Sequence, residues 1–508
     1  MASTFHRLLL IALLACTATS STVLAKEEEK QESKKEKDKL VEQKSVTSGQ
    51  VTIDGEALSY TATAGTMLLS EEFGDPQASV FYISYTRDKI KDNANRPLAF
   101  CFNGGPGSSS VWLHMGVLGP KRVKLNEDGS LPAPPFGLVD NEYSVLDQCD
   151  LVFIDPVSTG FSRPAPKTDP AQFHGVEEDI RSVGEFIRLY CTRNNRWASP
   201  KFLIGESYGT TRAAGLSSHL QGELGMYLNG ILLISAVLDF QTLRFNLGND
   251  LPYVMFLPAF AATAWYHDVL DKSRWGSLDK LLEEVQSFAT ERYSVALLRG
   301  DQQDEGALRE TARELAGFTG LSEQFVINSN LRITMPAFGK ELLQSRGKTV
   351  GRFDSRFTGL DRTAAGSHPD YDASYAAAQG PFTAALNHYV RSELKFESDL
   401  PYEILTGRVY PWNYGDWENS YLNVSENLRL AMTRNPYLKV FVANGYYDLA
   451  TPYFATEYTF AHLGLDKSLR RNVSMSYYEA GHMMYMHLPS LAKLKDDMAT
   501  FIQGALKQ

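Results

Sequence analysis

The chain predicts an α/β protein: a mostly parallel central sheet interrupted by one long helical insertion. Three observations carry this. Short apolar runs at 97–102, 150–154, 201–204 and 230–234 have strand length, and helical patterning stands between them, as around 176–191. Strands that alternate with helices build a largely parallel sheet. From about 239 to 400 the texture changes: Leu278, Leu281, Leu282, Val285, Phe288 and Ala289 recur at helical spacing, as do Leu308, Ala312 and Leu315. Strand runs then return at 438–442 and 473–477, so the sheet is expected to be completed after the insertion.

In chain order, His6 and Arg7 precede the apolar stretch 8–15, and Val23-Leu24-Ala25 follows as a small-residue cleavage site. That stretch is shorter than the ~20 residues a spanning helix needs. Residues 1–25 therefore read as a signal peptide, and the protein as exported, periplasmic or extracellular, with no stable membrane span. Leu13-Leu14-Ala15-Cys16 also fits a bacterial lipoprotein box, with anchoring through Cys16 as the alternative. Residues 26–46 carry seven lysines against seven acidic residues and almost nothing apolar, so they read as a solvated tether. The segment 47–238 is the first half of the core, opening on antiparallel strands between 51 and 88; 239–400 is a helical lid, and 401–508 the second half.

With 508 residues, 43% of them hydrophobic, the chain can bury a large core. Its net charge of −10 argues against nucleic acid as a partner, which would call for a basic stripe. Neither H-E-x-x-H nor paired C-x-x-C occurs, so neither a metal nor a cofactor is expected. Outside the leader only Cys101, Cys149 and Cys191 remain, each in or beside an apolar segment, and they read as buried free thiols.

The run 201–204 ends directly in Gly205-Glu206-Ser207-Tyr208-Gly209, a G-x-S-x-G turn with a serine at its centre. A sharp strand-to-helix turn pushes that hydroxyl outward and needs glycine where side chains would clash. A hydroxyl is a weak nucleophile, so it requires a base, a group to orient the base, and donors for an oxyanion. After 438–442 a turn through Asn444-Gly445 leads to Asp448, the candidate acid; after 473–477, Gly481 leads to His482, the candidate base. His487 is the rival base, at the start of a final helix, and Asp416 the reserve acid, which precedes its strand instead of following it. The run 97–102 enters Asn103-Gly104-Gly105-Pro106-Gly107-Ser108-Ser109-Ser110, whose glycines let backbone N–H groups face a substrate. The lysine that would make this a phosphate loop is missing. Phe256, Trp265 and Tyr266 read either as pocket lining or, more commonly for a helix stripe, as core, and Trp412, Tyr414 and Trp417 carry the same two readings.

These segments resemble the serine carboxypeptidases of the α/β-hydrolase fold. Residues 103–110 look like that family's W-N-G-G-P-G-C-S-S segment, 205–209 like its G-E-S-Y-A/G turn, and Asn444-Gly445 with Asp448 and Gly481-His482-Met483 like its aspartate and histidine segments. The resemblance covers roughly 95–240 and 400–490. It implies Ser207 as nucleophile, His482 as base and then acid, Asp448 as the group holding the imidazole, and the N–H groups of Gly105 and Tyr208 as the oxyanion hole. It also implies that Asn103 and Glu206 grip the free C-terminal carboxylate of a peptide. An ionised Glu206 would repel that carboxylate, so it must be protonated, as burial and nearby negative charge favour, and cleavage should prefer mild acid.

The match departs at three positions. Phe102 and Ser108 stand where the family commonly has tryptophan and cysteine, and Val117 where it has a second glutamate sharing a proton with the first. The function implied is a serine-type carboxypeptidase working through an acyl-enzyme on peptides; the alternative is an exported esterase or acyltransferase on acyl esters, with a relaxed need for a free carboxylate. Since the family's eukaryotic members are disulfide-rich, the sparse cysteines imply a bacterial-type member.

Overall fold

The computed structural model describes residues 40–70, 74–127, 129–130 and 132–507. The leader, Cys16 and the charged run as far as Lys39 lie outside the described residues. Lys44, Ser45 and Val46, assigned above to the tether, already belong to the first strand, paired with Gly65, Ala64 and Thr63. An edge strand is held by its backbone, so these exposed and half-buried residues needed no apolar signature to join the sheet.

Among the described residues, ten strands form one sheet. Its path uses β1 (Lys44–Ile53), β2 (Glu56–Ser70), β3 (Pro76–Arg87), β4 (Leu98–Phe102), β5 (Asp150–Ile154), β6 (Lys201–Ser207), β7 (Gly230–Ala236), β8 (Lys439–Gly445) and β9 (Val473–Tyr478). They lie in the order β1-β2-β3-β5-β4-β6-β7-β8-β9, and the two-residue strand Arg163–Pro164 pairs beside β3. The first three strands and the β3–β5 pair are antiparallel, and from β5 to β9 every pair is parallel. All five residues of β4 and of β5 are buried, as a parallel strand covered on both faces requires.

Strand alternation divides the core into two layers. Leu98, Phe100, Phe102, Leu203, Ile231 and Leu233 pack with helices α1 (Val176–Arg193) and α2 (Tyr208–Leu224) on one face. Ala99, Cys101, Phe202, Ile204 and Leu232 pack on the other with the last helix, α7 (Leu488–Leu506). Cys101, Cys149 and Cys191 are buried and unpaired, as the sequence suggests.

The inserted segment has two destinations. Helices α3 (Leu251–Tyr266), α4 (Leu278–Phe288) and α5 (Glu305–Thr319) build a third core through Phe256, Phe260, Leu282 and Leu315, and share it with Tyr447, Leu449, Tyr453 and Ala455 from beyond the insertion. Helix α6 (Ala373–Ser392) instead sends Ala378, Phe382, Leu386 and Tyr389 into the core beneath the sheet. Both stripes have the same period, so periodicity could not separate them. Between the two, a short hairpin pairs Thr349–Val350 with Thr358–Gly359.

One buried ion pair ties three elements together. Arg212 of α2 donates from Nε to Asp179 of α1 at 2.7 Å and from Nη1 to the Asn103 carbonyl at 2.5 Å, the residue that follows β4 by one. Its guanidinium also lies over the rings of Phe102 and Tyr208, 5.4 and 5.6 Å from their centroids. Burial already pushes the Asp179 carboxyl up, with Arg212 opposing that shift. An acid with a raised folded pKa holds its proton better folded than unfolded, so without Arg212 stability should fall as pH rises. Arg212→Leu is expected to destabilise the fold by about 3–5 kcal/mol at neutral pH and by less in mild acid, measured by chemical denaturation.

Candidate active site

In the pairing register Phe102 is level with Gly205, Ile234 with Ala443, and Gly445 with Tyr478. The loops leaving the carboxyl ends of β4, β6, β8 and β9 are thereby brought to one place, where open α/β sheets put their sites. Ser207, between β6 and α2, has φ 59° and ψ −131°, a conformation that costs a side-chain-bearing residue on the order of 1–3 kcal/mol. The surrounding glycines are required by close approach. A Cβ on Gly205 would lie 2.2 Å from the Gly209 carbonyl oxygen, one on Gly209 2.6 Å from that of Phe102, and one on Gly104 2.3 Å from the Tyr208 nitrogen.

Asp448 is fully buried and accepts hydrogen bonds from the N–H groups of Ala450 (2.7 Å) and Thr451 (2.9 Å) and from the Thr451 hydroxyl (2.7 Å). Its Oδ2 also lies 2.7 Å from Nδ1 of His482. With Nδ1 donating to a carboxylate, Nε2 is left as the basic nitrogen. Burial alone would push the imidazole down, but the charge and hydrogen bond of Asp448, helped by Glu206, leave it above its ordinary value.

Two supports of His482 carry no sequence signal. Ser235 sits at a register shift between β6 and β7 with φ 52°, and its hydroxyl donates to the His482 carbonyl at 2.7 Å. The inserted hairpin supplies the other. Its Phe353 carbonyl accepts the His482 N–H at 2.6 Å, Asp354 Oδ2 accepts the Gly481 N–H at 3.0 Å, and the Arg352 carbonyl accepts the Leu449 N–H at 3.0 Å. Arg356 closes on Asp354 at 2.7 Å and donates to the Glu479 carbonyl at 3.0 Å. Gly481 is needed here, since a Cβ would lie 2.4 Å from the Phe353 carbonyl oxygen.

Ser207, His482, Glu206, Asn103, Gly104 and Gly105 all line one cavity of about 350 Å³. Its aromatic walls are Trp112, Phe353, Tyr375 and Tyr410. The Trp112 indole N–H is held by the Ser108 hydroxyl at 2.9 Å, so the serine at the family's cysteine position anchors a cavity wall. Phe256, Trp265 and Tyr266 do not line this cavity: Phe256 lies in the core of the insertion, Lys272 covers Trp265, and Tyr266 packs on Tyr447. Trp412 is buried behind the elbow, 5.5 Å from the Tyr208 ring, and Tyr414 and Trp417 pack around the same core. His487 meets the Ser490 hydroxyl at the start of α7, and Asp416 is exposed in the turn Gly415–Trp417; neither lines the cavity.

Glu206, 3% exposed, is pushed up to about 7. Burial is the main cause and the charge of Asp448 adds to it, while His482, Tyr485 and Asn103 oppose it. The Tyr485 hydroxyl donates to Oε2 at 2.8 Å. Val117 is fully buried in the turn His114–Leu118, and Gly116 of that turn lies so flat against the Tyr485 ring that a Cβ there would stand 2.3 Å from it. Tyr485 thus bridges this turn and Glu206, a partnership that nothing in the sequence announces. Asn103 accepts the Leu113 N–H at 3.0 Å; its buried Nδ2 closes no well-formed hydrogen bond among the described residues, although it is near enough to Glu206 to favour the charged carboxylate.

The comparisons agree with this architecture. Pheromone-processing carboxypeptidase KEX1 of Saccharomyces cerevisiae is 34% identical over 156 residues, covering 28% of this chain and 20% of that protein. Carboxypeptidase Y homolog A of Uncinocarpus reesii is 26% identical over 207 residues, covering 40% of this chain and 34% of that protein. The chain therefore matches only about a fifth to a third of the length of these relatives. The crystal structure of KEX1(Δ)p, a prohormone-processing carboxypeptidase from Saccharomyces cerevisiae, superposes with a TM-score of 0.55 at 18% identity over 87% of this chain and 91% of that one, which shows a common α/β-hydrolase fold. The family model described as serine carboxypeptidase matches residues 60–494, most of the chain, and the protein belongs to the serine carboxypeptidase family.

Proposed function

We propose that the protein is a serine-type carboxypeptidase that hydrolyses the C-terminal peptide bond of its substrates through an acyl-enzyme. The observation that carries this reading is Glu206: a buried carboxyl next to the elbow serine, lining the same cavity and pushed up to about 7, so that it holds its proton in mild acid. Protonated, it donates to a peptide's terminal carboxylate, and the open Nδ2 of Asn103 supplies a second donor. Ser207 Oγ attacks the adjacent carbonyl while His482 Nε2 takes its proton, and the buried Asp448 stabilises the imidazolium. The N–H groups of Gly105 and Tyr208 receive the oxyanion, a role in which one donor is typically worth about 10²–10³ in turnover. His482 then protonates the leaving amine, and water releases the acyl group by the reverse sequence.

An esterase or acyltransferase is the second reading, and Val117 favours it, since no second carboxyl shares a proton with Glu206. Tyr485 answers that point in part by giving Glu206 a fixed hydrogen-bond partner. The apolar leader supports export to the periplasm or the extracellular space. Among the described residues no helix is long and apolar enough to cross a membrane.

The pH dependence follows from two groups of opposite requirement. His482 acts as a base only when neutral, so turnover of an ester should rise as pH passes its raised pKa. Glu206 grips a carboxylate only when protonated, so the preference for a free-acid dipeptide over its C-terminal amide should fall as pH rises through about 7. Measuring kcat/KM for that pair from mild acid to mild alkali tests the proposal, and equal rates at every pH would exclude it. Tyr485→Phe removes a donor that favours the charged carboxylate. Its free-acid profile should keep its alkaline limb to higher pH, with KM changing more than kcat; a uniform loss on peptide and ester alike would mean that Tyr485 is only structural.

A further inference from the structure

Arg352 projects into the active-site cavity from the inserted hairpin. Its backbone is fixed on both sides, the N–H by Asp372 Oδ1 at 3.0 Å and the carbonyl by Leu449 N–H at 3.0 Å. The side chain is exposed, with its guanidinium 5.1 Å from the Phe353 ring centroid, and it forms no ion pair among the described residues. The charged groups that act on it are Asp372, Asp448 and Arg244. Asp448 is occupied by His482 and Thr451, and Asp372 Oδ1 caps α6 through the Ser374 N–H; the other oxygen of Asp372 is buried and unbonded. Arg244 is a second exposed guanidinium, over the Phe240 ring at 5.6 Å, and its charge reaches both Arg352 and the cavity residue Tyr410. Arg352 is thus the one charged residue that the insertion contributes to the cavity lining among the described residues, with Arg244 within electrostatic reach of it.

A planar guanidinium fork beside a reactive serine is matched to a carboxylate, which it holds by two parallel hydrogen bonds. Asn103 and Glu206 already account for a peptide's terminal carboxylate, so Arg352 has a different one to receive. We propose that Arg352 selects peptides that carry an aspartate or glutamate side chain at one of the two residues flanking the scissile bond. This rests on the carboxypeptidase reading above and adds substrate class to it.

Two pairs of blocked dipeptides test it, each pair differing only by glutamate against glutamine, one pair before and one after the scissile bond. At a pH near 6 the glutamate side chain is ionised and Glu206 largely protonated. In the wild-type protein the kcat/KM ratio of glutamate to glutamine should be on the order of tenfold in one pair, as a charged hydrogen-bonded contact supplies. Arg352→Gln should bring that ratio to about one, and Arg352→Glu should turn the preference toward lysine. A wild-type ratio of one or less in both pairs, or a ratio that survives Arg352→Gln, overturns the proposal. So does an Arg352→Gln variant that loses its free-acid over amide preference while keeping the glutamate ratio, because Arg352 would then serve the terminal carboxylate. Failure of the carboxypeptidase reading looks different: wild-type protein would fail to distinguish a neutral free-acid dipeptide from its amide.

Discussion

The site depends on how closely the serine turn and the loop after β4 pack together. Gly104 lies so near the Tyr208 nitrogen, and Gly209 so near the Phe102 carbonyl, that no side chain fits between them. That contact sets the Tyr208 nitrogen against the glycine loop, and it is possible because the adjacent parallel strands are level at Phe102 and Gly205. The strained backbone of Ser207 is a consequence of the same geometry. Arg212 locks it from behind, since one guanidinium fastens the Asn103 carbonyl to α2 and, through Asp179, to α1. Rigid support of this kind is what a preorganised oxyanion site requires, because donors that had to reorient during the reaction would lose most of their effect.

The insertion is more than a cover. Its hairpin accepts the N–H groups of His482, Gly481 and Leu449, so the loops carrying His482 and Asp448 are fastened to it and not only to the sheet. Each such bond is worth roughly 1 kcal/mol net, and leaving the buried partners unsatisfied would cost more. The hairpin therefore cannot lift away without disordering His482. Helices α3, α4 and α5 are tied to the same loops, since their core includes Tyr447 and Leu449 on either side of Asp448. The same attachment places Arg352 at a fixed position beside the reacting groups, and a specificity residue has to be so placed to discriminate.

Sequence was most informative where chemistry forces residue identity. The elbow, the glycine loop, Asp448 and His482 were legible because tight turns after apolar strands leave few alternatives, and the alternation of strand and helix was enough for the parallel sheet. The supports were not legible. Ser235, Tyr485, Phe353 and Asp354 act by position across long sequence separations, and none has a residue type or spacing that singles it out. The helical spacing of 278–289 was legible, but the split of the insertion between a core shared with the Asp448 loop and the layer beneath the sheet was hidden, because α6 and α4 carry stripes of similar period. The pocket aromatics came from elsewhere than the helix that suggested them: Trp112 and Phe353 depend on a serine hydroxyl and a hairpin that only tertiary structure brings together.

Glu206 and His482 are coupled, and the coupling decides which protonation state does the work. The negative charge of Glu206 raises His482, and the positive charge of His482 lowers Glu206. A neutral glutamic acid with a neutral imidazole holds the same number of protons as a glutamate with an imidazolium, so pH alone cannot choose between them. Burial favours the neutral pair, since both groups are almost wholly withdrawn from water, whereas mutual attraction and the Asp448 carboxylate favour the charged one. On the proposed carboxypeptidase reading, a substrate carboxylate beside Glu206 would repel the charged form and stabilise the acid. In an exchange at fixed proton count, Glu206 held as the acid leaves His482 as the neutral imidazole. On that reading, binding of the free carboxylate would produce the carboxyl donor and the basic imidazole in the same step, a linkage available to a peptide acid and absent for an ester or amide. Where the family's second glutamate would add another proton to this equilibrium, Val117 and Tyr485 leave a simpler pair with a single fixed donor.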